Sequence, residues 1–273
     1  MTAAVPVIRQ TAALAWRSIV TTMRLPQAWF PALFFPLVLM AIFTASFGGA
    51  PGTIPGFPPV RSFLDFAVSG AIIQGVLIGG TTAGAAFATD IEGGFFDRLV
   101  ASPTSRTSIL TGRLGASITL GVGQALLFIA VAAIFGARVD GGAIFGARVD
   151  GGLVGIIVVV VIASLFAAAV GGLGVFLAIR TGSGEAVQGM FPLFFALLFF
   201  SSAFFPLDTM VGWYHDVAAL NPITYLVESM RLEIIGGATI WTALAGIGIA
   251  LGLALITVGA SALALRRRLR VAA

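Results

Sequence analysis

Six apolar stretches are long enough to cross a bilayer, whose hydrocarbon core takes about 20 helical residues: Trp29–Phe47, Phe66–Ala88, Leu114–Phe135, Leu153–Ile179, Ala186–Phe205 and Ile240–Leu265. The first is entered through Pro26 and Pro31 and is expected to bend near Pro36. Between them, Gly48–Arg61 is rich in Gly and Pro and predicts a loop, and Arg180–Glu185 predicts a tight turn. Ahead of the first span, Ile8, Ala12, Ala15, Trp16, Ile19 and Val20 fall near helical spacing, with Arg9, Arg17 and Arg24 mostly off that face. This pattern, lacking a cleavage site, predicts an amphipathic helix in the membrane plane with Trp16 at headgroup level, or more simply a solvated helix. The fold class expected is therefore an all-α membrane protein with six transmembrane helices.

The longest polar interruption is Thr89–Arg113. Gly93 and Gly94 separate Asp90 and Glu92 from Phe95-Phe96-Asp97-Arg98-Leu99-Val100, where Phe95, Phe96, Leu99 and Val100 share one helical face and Asp97 and Arg98 the other. Ser102-Pro103 stops the turn, because Pro biases the preceding residue away from the helical region. A small amphipathic helix held between two spans suits a handle for a soluble partner; the plainer alternative is an interfacial loop.

The segment Pro206–Gly237 predicts two more short helices. Asp208 is a candidate N-cap for a stripe of Met210, Trp213, Val217 and Leu220. Asn221-Pro222 supplies a second N-cap followed by Pro at the first helical position, ahead of Ile223, Leu226, Val227, Met230 and Ile234. With Trp213, Tyr214 and Tyr225 the pair fits a re-entrant outer hairpin before the sixth span, or a cap lying flat. In the connection after the third span, Ala133–Gly142 is repeated letter for letter by Ala143–Gly152. Either this is a paired binding loop or, more simply, a tandem duplication tolerated at a loop tip.

Composition narrows the chemistry. Only 10% of the residues are charged and mean hydropathy is +1.08, far from a soluble domain. There is no Cys and a single His (His215), which removes thiolate or histidine metal clusters and a Ser-His-Asp hydrolase. All 15 basic residues are Arg; without Lys the chain cannot be a P-loop ATPase. The net charge of +4 follows topology rather than nucleic-acid binding. With six spans, Arg9, Arg17, Arg24, Arg98, Arg106, Arg113, Arg180, Arg266, Arg267, Arg268 and Arg270 share one side, against Arg61, Arg138, Arg148 and Arg231. The positive-inside rule then puts both termini and Thr89–Arg113 in the cytoplasm.

No charged residue lies near the middle of a span, which argues against a carrier driven by an ion gradient. Gln74, Gln124 and Gln188 are the polar exceptions, and each could bind substrate or a neighbouring helix. Gly75, Gly79, Gly80 and Gly84 permit close helix contact in the second span. Phe191, Phe194, Phe195, Phe199, Phe200, Phe204 and Phe205 crowd the fifth, lining a greasy passage or facing lipid.

Glu92-Gly93-Gly94 through Leu99, then Ala101-Ser102-Pro103-Thr104-Ser105-Arg106, Ile109-Leu110 and Gly112-Arg113, resemble the coupling region of type-2 ABC exporter permeases. Phe204-Phe205-Pro206-Leu207, Trp213, Leu220-Asn221-Pro222-Ile223-Thr224-Tyr225 and Arg231 resemble that family's second signature. The likeness spans residues 1–273 as one domain and is nearest to daunorubicin-resistance-type permeases of actinobacteria. The modest charge before the coupling helix and the decapeptide repeat depart from the family pattern. The resemblance implies a non-catalytic permease of a bacterial cell membrane, paired with a second permease subunit, identical or not. A separate cytoplasmic ATP-binding subunit would carry ATP and Mg; no cofactor is expected on this chain. It implies ATPase coupling through Glu92, Phe95, Phe96, Asp97, Arg98, Leu99 and Val100. It further implies a substrate path with Gln74, Gln188, Phe191, Phe195 and Phe199, and an outer hairpin with Trp213, Asn221, Pro222 and Tyr225. The expected cargo is a hydrophobic drug or lipid, the alternatives being a lipid-linked glycan or, in a different class, ion-gradient transport.

Overall fold

The computed structural model describes residues 6–60, 62–136 and 152–271, and among them every regular element is helical. In order these are α1 (Val7–Met23), α2 (Pro26–Phe47), α3 (Phe63–Glu92), α4 (Phe95–Ala101), α5 (Arg106–Gly136) and α6 (Gly152–Thr181). There follow α7 (Gly184–Gln188), α8 (Phe191–Phe199), α9 (Trp213–Leu220), α10 (Pro222–Ile235) and α11 (Ile240–Val271). Residues 48–60 are turns and bends, as their Gly and Pro content predicts. Of the decapeptide repeat, Ala133–Gly136 ends α5 and Gly152 begins α6; residues 137–151 lie outside the described residues.

The helix α3 is the axis of the molecule, almost wholly buried and packed on α2, α5, α6, α7 and α10. Its glycine row is what lets the neighbours in: a Cβ on Gly84 would stand 2.6 Å from Gly174 Cα of α6. Backbones that approach this closely gain the van der Waals contact that holds helices together in lipid. Proline at position 36 has no N–H to give the Ala32 carbonyl, and Gln124 of α5 donates its Nε2 there (3.3 Å) and to the Gly75 carbonyl (3.0 Å). One side chain thereby ties α5 to both α2 and α3. Outward, α2 and α11 present Phe30, Phe34, Ile42, Leu255 and Ile256, which suits a lipid or protein neighbour.

Among the described residues only α2, α3, α5, α6 and α11 are long and apolar enough to cross a membrane; the predicted fifth span, Ala186–Phe205, is not one helix. Gly189 and Met190 interrupt it between α7 and α8, and residues 200–206 carry no α-helix. Pro192, in the first turn of α8, has no N–H for the Gln188 carbonyl, so the α7 ladder cannot continue. Nor does Asp208 cap α9 as its position suggested; it sits in a 3₁₀ turn, Leu207–Thr209, and Gly212 (φ 57°) begins α9. Of the expected stripe, Met210 is buried and Trp213, Val217 and Leu220 face outward. The α10 stripe of Ile223, Leu226, Val227, Met230 and Ile234 is buried, as its spacing predicts.

Candidate functional site

The end of α3 builds the first candidate. Gly93 N–H donates to the Thr89 carbonyl (2.9 Å) and Gly94 turns the chain at φ 69°, a region open to glycine without strain. Out of that turn comes α4, with Phe96 1% exposed, Phe95, Leu99 and Val100 half-buried, and Asp97 and Arg98 exposed. Phe96 inserts among Phe87, Ile91, Ile109, Leu110, Ile179, Val187 and Leu265, where five other helices meet. Its ring stands edge-on to Phe87 at 5.7 Å, with the Arg268 guanidinium of α11 at 5.4 Å. Ser102 is extended (ψ 161°) before Pro103 and its hydroxyl donates to the Leu99 carbonyl (2.7 Å), closing the helix.

The N-terminal helix clamps this turn from the side. Gln10 Oε1 accepts from Ser105 N–H (2.9 Å), Thr11 and Ser108 share a hydroxyl contact (3.1 Å), and Gly112 and Gly115 admit Leu14 and Ala15. Thus α1 packs through Thr11, Leu14, Ser18 and Thr22, while Ile8 and Trp16 point away from the protein. Beneath them Asp90 accepts from Arg113 (2.8 Å) and more loosely from Arg17 (3.4 Å). Arg17 also lies 3.7 Å above the Phe95 ring. An exposed ion pair contributes ~0–1 kcal/mol and a cation–π contact about 0.5–2 kcal/mol, so Arg17 is held by the ring at least as much as by the carboxylate. Glu92 is exposed, and its Oε1 accepts from Gly184 N–H at the start of α7 (3.1 Å).

The second candidate group is split. Gln74 is buried midway along α3, whereas Gln188 is exposed at the end of α7, whose Val187 packs on Gly84. Ten residues of helix separate Gln74 from Gly84, about 15 Å, so the two amides do not share one site. Phe191, Phe195 and Phe199 do form a ladder along α8, with centroids 5.5 and 5.0 Å apart, and Phe199 continues to Phe204 at 4.9 Å.

At the other end, the hairpin stitches up the broken segment. Asn221 caps α10 by accepting from Ile223 N–H (2.9 Å), while its Nδ2 donates to the carbonyls of Leu197 (2.7 Å) and Phe200 (2.6 Å). Tyr214 donates to the Phe199 carbonyl and Tyr225 to that of Ala219 (2.9 Å), with Pro222 in the first turn and Trp213 exposed. Arg231, 1% exposed, donates to the Ser202 carbonyl (2.7 Å) and the Phe66 carbonyl (3.3 Å), pairs with Glu228, and stacks 3.8 Å over Phe66. Burial lowers its pKa from the ordinary value and Glu228 opposes that shift. Freed carbonyls are tolerated in apolar surroundings only when partners take them up. Sequence reasoning missed this role of Arg231, and the part of Arg17, Asp90, Arg113 and Arg268 around α4. The available signal was a lone arginine set among the apolar residues of the α10 stripe.

Among the described residues no three acidic or histidine side chains converge on a metal site. The chain matches the ABC-2 type transporter family over residues 9–234. It is 25% identical over 227 residues to the daunorubicin resistance ABC transporter permease protein DrrB1 of Streptomyces coeruleorubidus, covering 83% of this chain and 75% of that one. It is 28% identical over 229 residues to the putative transport permease ycf38 of Porphyra purpurea, covering 82% and 74% respectively. With most of its length matched and its helices suited to a bilayer, this multi-pass membrane protein is a transport permease of the ABC-2 type transporter family.

Proposed function

We propose that this permease is the membrane subunit of an ATP-driven exporter, acting on a hydrophobic or amphipathic drug or lipid. The whole chain forms one transmembrane domain in a bacterial cell membrane with both termini cytoplasmic. It pairs with a second permease subunit, and a separate cytoplasmic subunit binds and hydrolyses ATP. The observation that carries this reading is the division of α4: Phe95, Phe96, Leu99 and Val100 lock into the protein while Asp97 and Arg98 face out for a partner. A push on Asp97 and Arg98 reaches α3, α5, α6 and α11 through the Phe96 cluster, and α1 through Arg17. The ladder of Phe191, Phe195 and Phe199 is the apolar wall of the substrate path where two permeases meet, and the α9–α10 hairpin dips into the outer leaflet. The drug-resistance relative favours an amphipathic drug as cargo over a lipid-linked glycan.

Leu99→Arg places a charge on the inner face of α4. In vesicles holding the permease and its ATPase, it should leave insertion and basal ATP hydrolysis in place and cut export at least tenfold. Export at the wild-type rate would remove α4 from the coupling path. Transport that stops with a protonophore but ignores vanadate would reject the ATP-driven mechanism itself.

A further inference from the structure

The helix α11 ends in four arginines, of which Arg268 turns inward and the other three turn out. On its inner side Ser261 donates to the Gly172 carbonyl (2.6 Å), Leu265 is buried, and Arg268 donates to the Ile179 carbonyl (3.2 Å). These contacts fix which side of α11 looks away from the protein. There Ile256, Gly259, Leu263, Arg266 and Arg270 follow one another at three- and four-residue steps and so form a single row, flanked by Leu255 and Arg267. Leu255, Ile256 and Leu263 are each more than half exposed, and a Cβ placed on Gly259 would meet nothing within 4 Å. Arg266, Arg267 and Arg270 are exposed as well, and none of them pairs with a carboxylate among the described residues. From Ile240 to Val271 the helix contains no Asp or Glu. The row is therefore apolar for about 15 Å from Ile256 to Arg266, half of the ~30 Å hydrocarbon thickness, and cationic beyond.

We infer that this row holds an anionic phospholipid, with its acyl chains along Leu255, Ile256 and Leu263 and its phosphate on Arg266, Arg267 and Arg270. The match is one of length and of charge. The apolar part has the depth of one leaflet's hydrocarbon, and a phosphodiester then falls where the guanidinium groups begin. Their planar forks take phosphate oxygens two at a time. A zwitterionic phospholipid brings an ammonium of like charge to the same arginines and binds the row less tightly. Each arginine at a membrane surface strengthens the hold on anionic lipid about fivefold at low salt, and salt weakens it. The inference goes beyond export: it names a lipid that stays with the permease whatever the cargo, and it needs no ATPase.

Brominated lipids test it, because bromine quenches a fluorophore that it touches. The chain has no Cys, so Leu263→Cys carries a single bimane on the full permease in phosphatidylcholine vesicles. Acyl-brominated phosphatidylglycerol should quench it with a preference of about fivefold or more over acyl-brominated phosphatidylcholine. Arg266→Gln, Arg267→Gln and Arg270→Gln together should bring that preference down to about one, and a rise in NaCl from about 0.05 to 0.5 M should do most of the same. If the triple variant fails to fold, the salt series decides. A bimane at Thr119→Cys, on the exposed side of α5, should show less than about half the preference. Equal quenching by both lipids at Leu263→Cys, a preference that survives the triple variant or high salt, or the same preference at Thr119→Cys, overturns the site. Little quenching by either lipid means that protein covers the row, a second permease included, and overturns it too. A preference that vanishes when the ATP-binding subunit is added assigns the arginines to that subunit instead of a lipid.

Discussion

Asn221 performs three hydrogen-bonding tasks with one short side chain, and its two ends are chemically separable. The Oδ1 end caps α10, which is worth about 1 kcal/mol, and the Nδ2 end meets two carbonyls that α8 cannot satisfy, at about 1 kcal/mol each. Asn221→Ala should therefore destabilise the protein by roughly 2–3 kcal/mol. Asn221→Asp retains the cap but turns a donor toward acceptors, so it should be no better than alanine despite its similar shape. Thermal unfolding in detergent reads the order; an aspartate variant as stable as wild type would mean that the cap alone matters. Arg231 belongs to the same seam: its removal leaves the buried Ser202 carbonyl without its donor, at a cost of about 1–3 kcal/mol, while Glu228, 35% exposed, keeps its water.

Among elements, α1 depends most on a neighbour's composition. It reaches α5 only because Gly112 and Gly115 carry no side chain; a Cβ on Gly115 would stand 2.7 Å from Ala15 Cβ. Gly115→Leu should lift α1 from α4 and break the Arg17 contact with Phe95, while leaving α3, α6 and α11 packed. Limited proteolysis should then cut near Leu25 at least ten times faster, with the melting temperature lowered only slightly; unchanged cleavage would mean α1 is held elsewhere. Gly115 was not singled out in the sequence, and Gly112 only within the coupling-region resemblance; the apolar face of α1 was read as lying in the membrane plane. Ile8 and Trp16 of that face do point away from the protein, Trp16 being 68% exposed, while its Ala15 sits against Gly115. Hydrophobic spacing shows that a helix has two faces and cannot say which one meets protein when lipid competes for the apolar side. The α4 helix was legible for the opposite reason: its Gly-Gly entry, its Ser-Pro exit and its two faces all agree. The α7–α8 break was not, because an apolar run hides a helix interruption whose partners, Asn221 and Tyr214, lie well over ten residues away.

For the whole molecule the open quantity is the number of crossings, and Arg268 bears on it. Its guanidinium donates to the Ile179 carbonyl at the end of α6 and lies over Phe96, so α11 finishes at the same end of the molecule as α4. The chain leaves α6 at that end and must reach the far end before α11 can return. Only residues 182–239 are available for the journey. Along α3 the segment starts beside Ala85 and Thr89, at Gly184, and reaches Gly70 at Ala203, a traverse of about 22 Å of helix. That is most of the ~30 Å hydrocarbon thickness, which supports α7–α8 as a sixth, broken crossing. Since the chain has no Cys, single cysteines report their own side without background. Arg98→Cys and Arg270→Cys should both resist a membrane-impermeant maleimide on intact cells and react after permeabilisation, whereas Asp208→Cys, exposed beside Gly56 of the loop before α3, should react at once. If Arg270→Cys reacted from outside while Arg98→Cys did not, the crossings would be odd in number and α7–α8 would turn back within the membrane. If Arg98→Cys itself reacted from outside, α4 would lie beyond reach of any cytoplasmic ATPase and the coupling mechanism would fall with it.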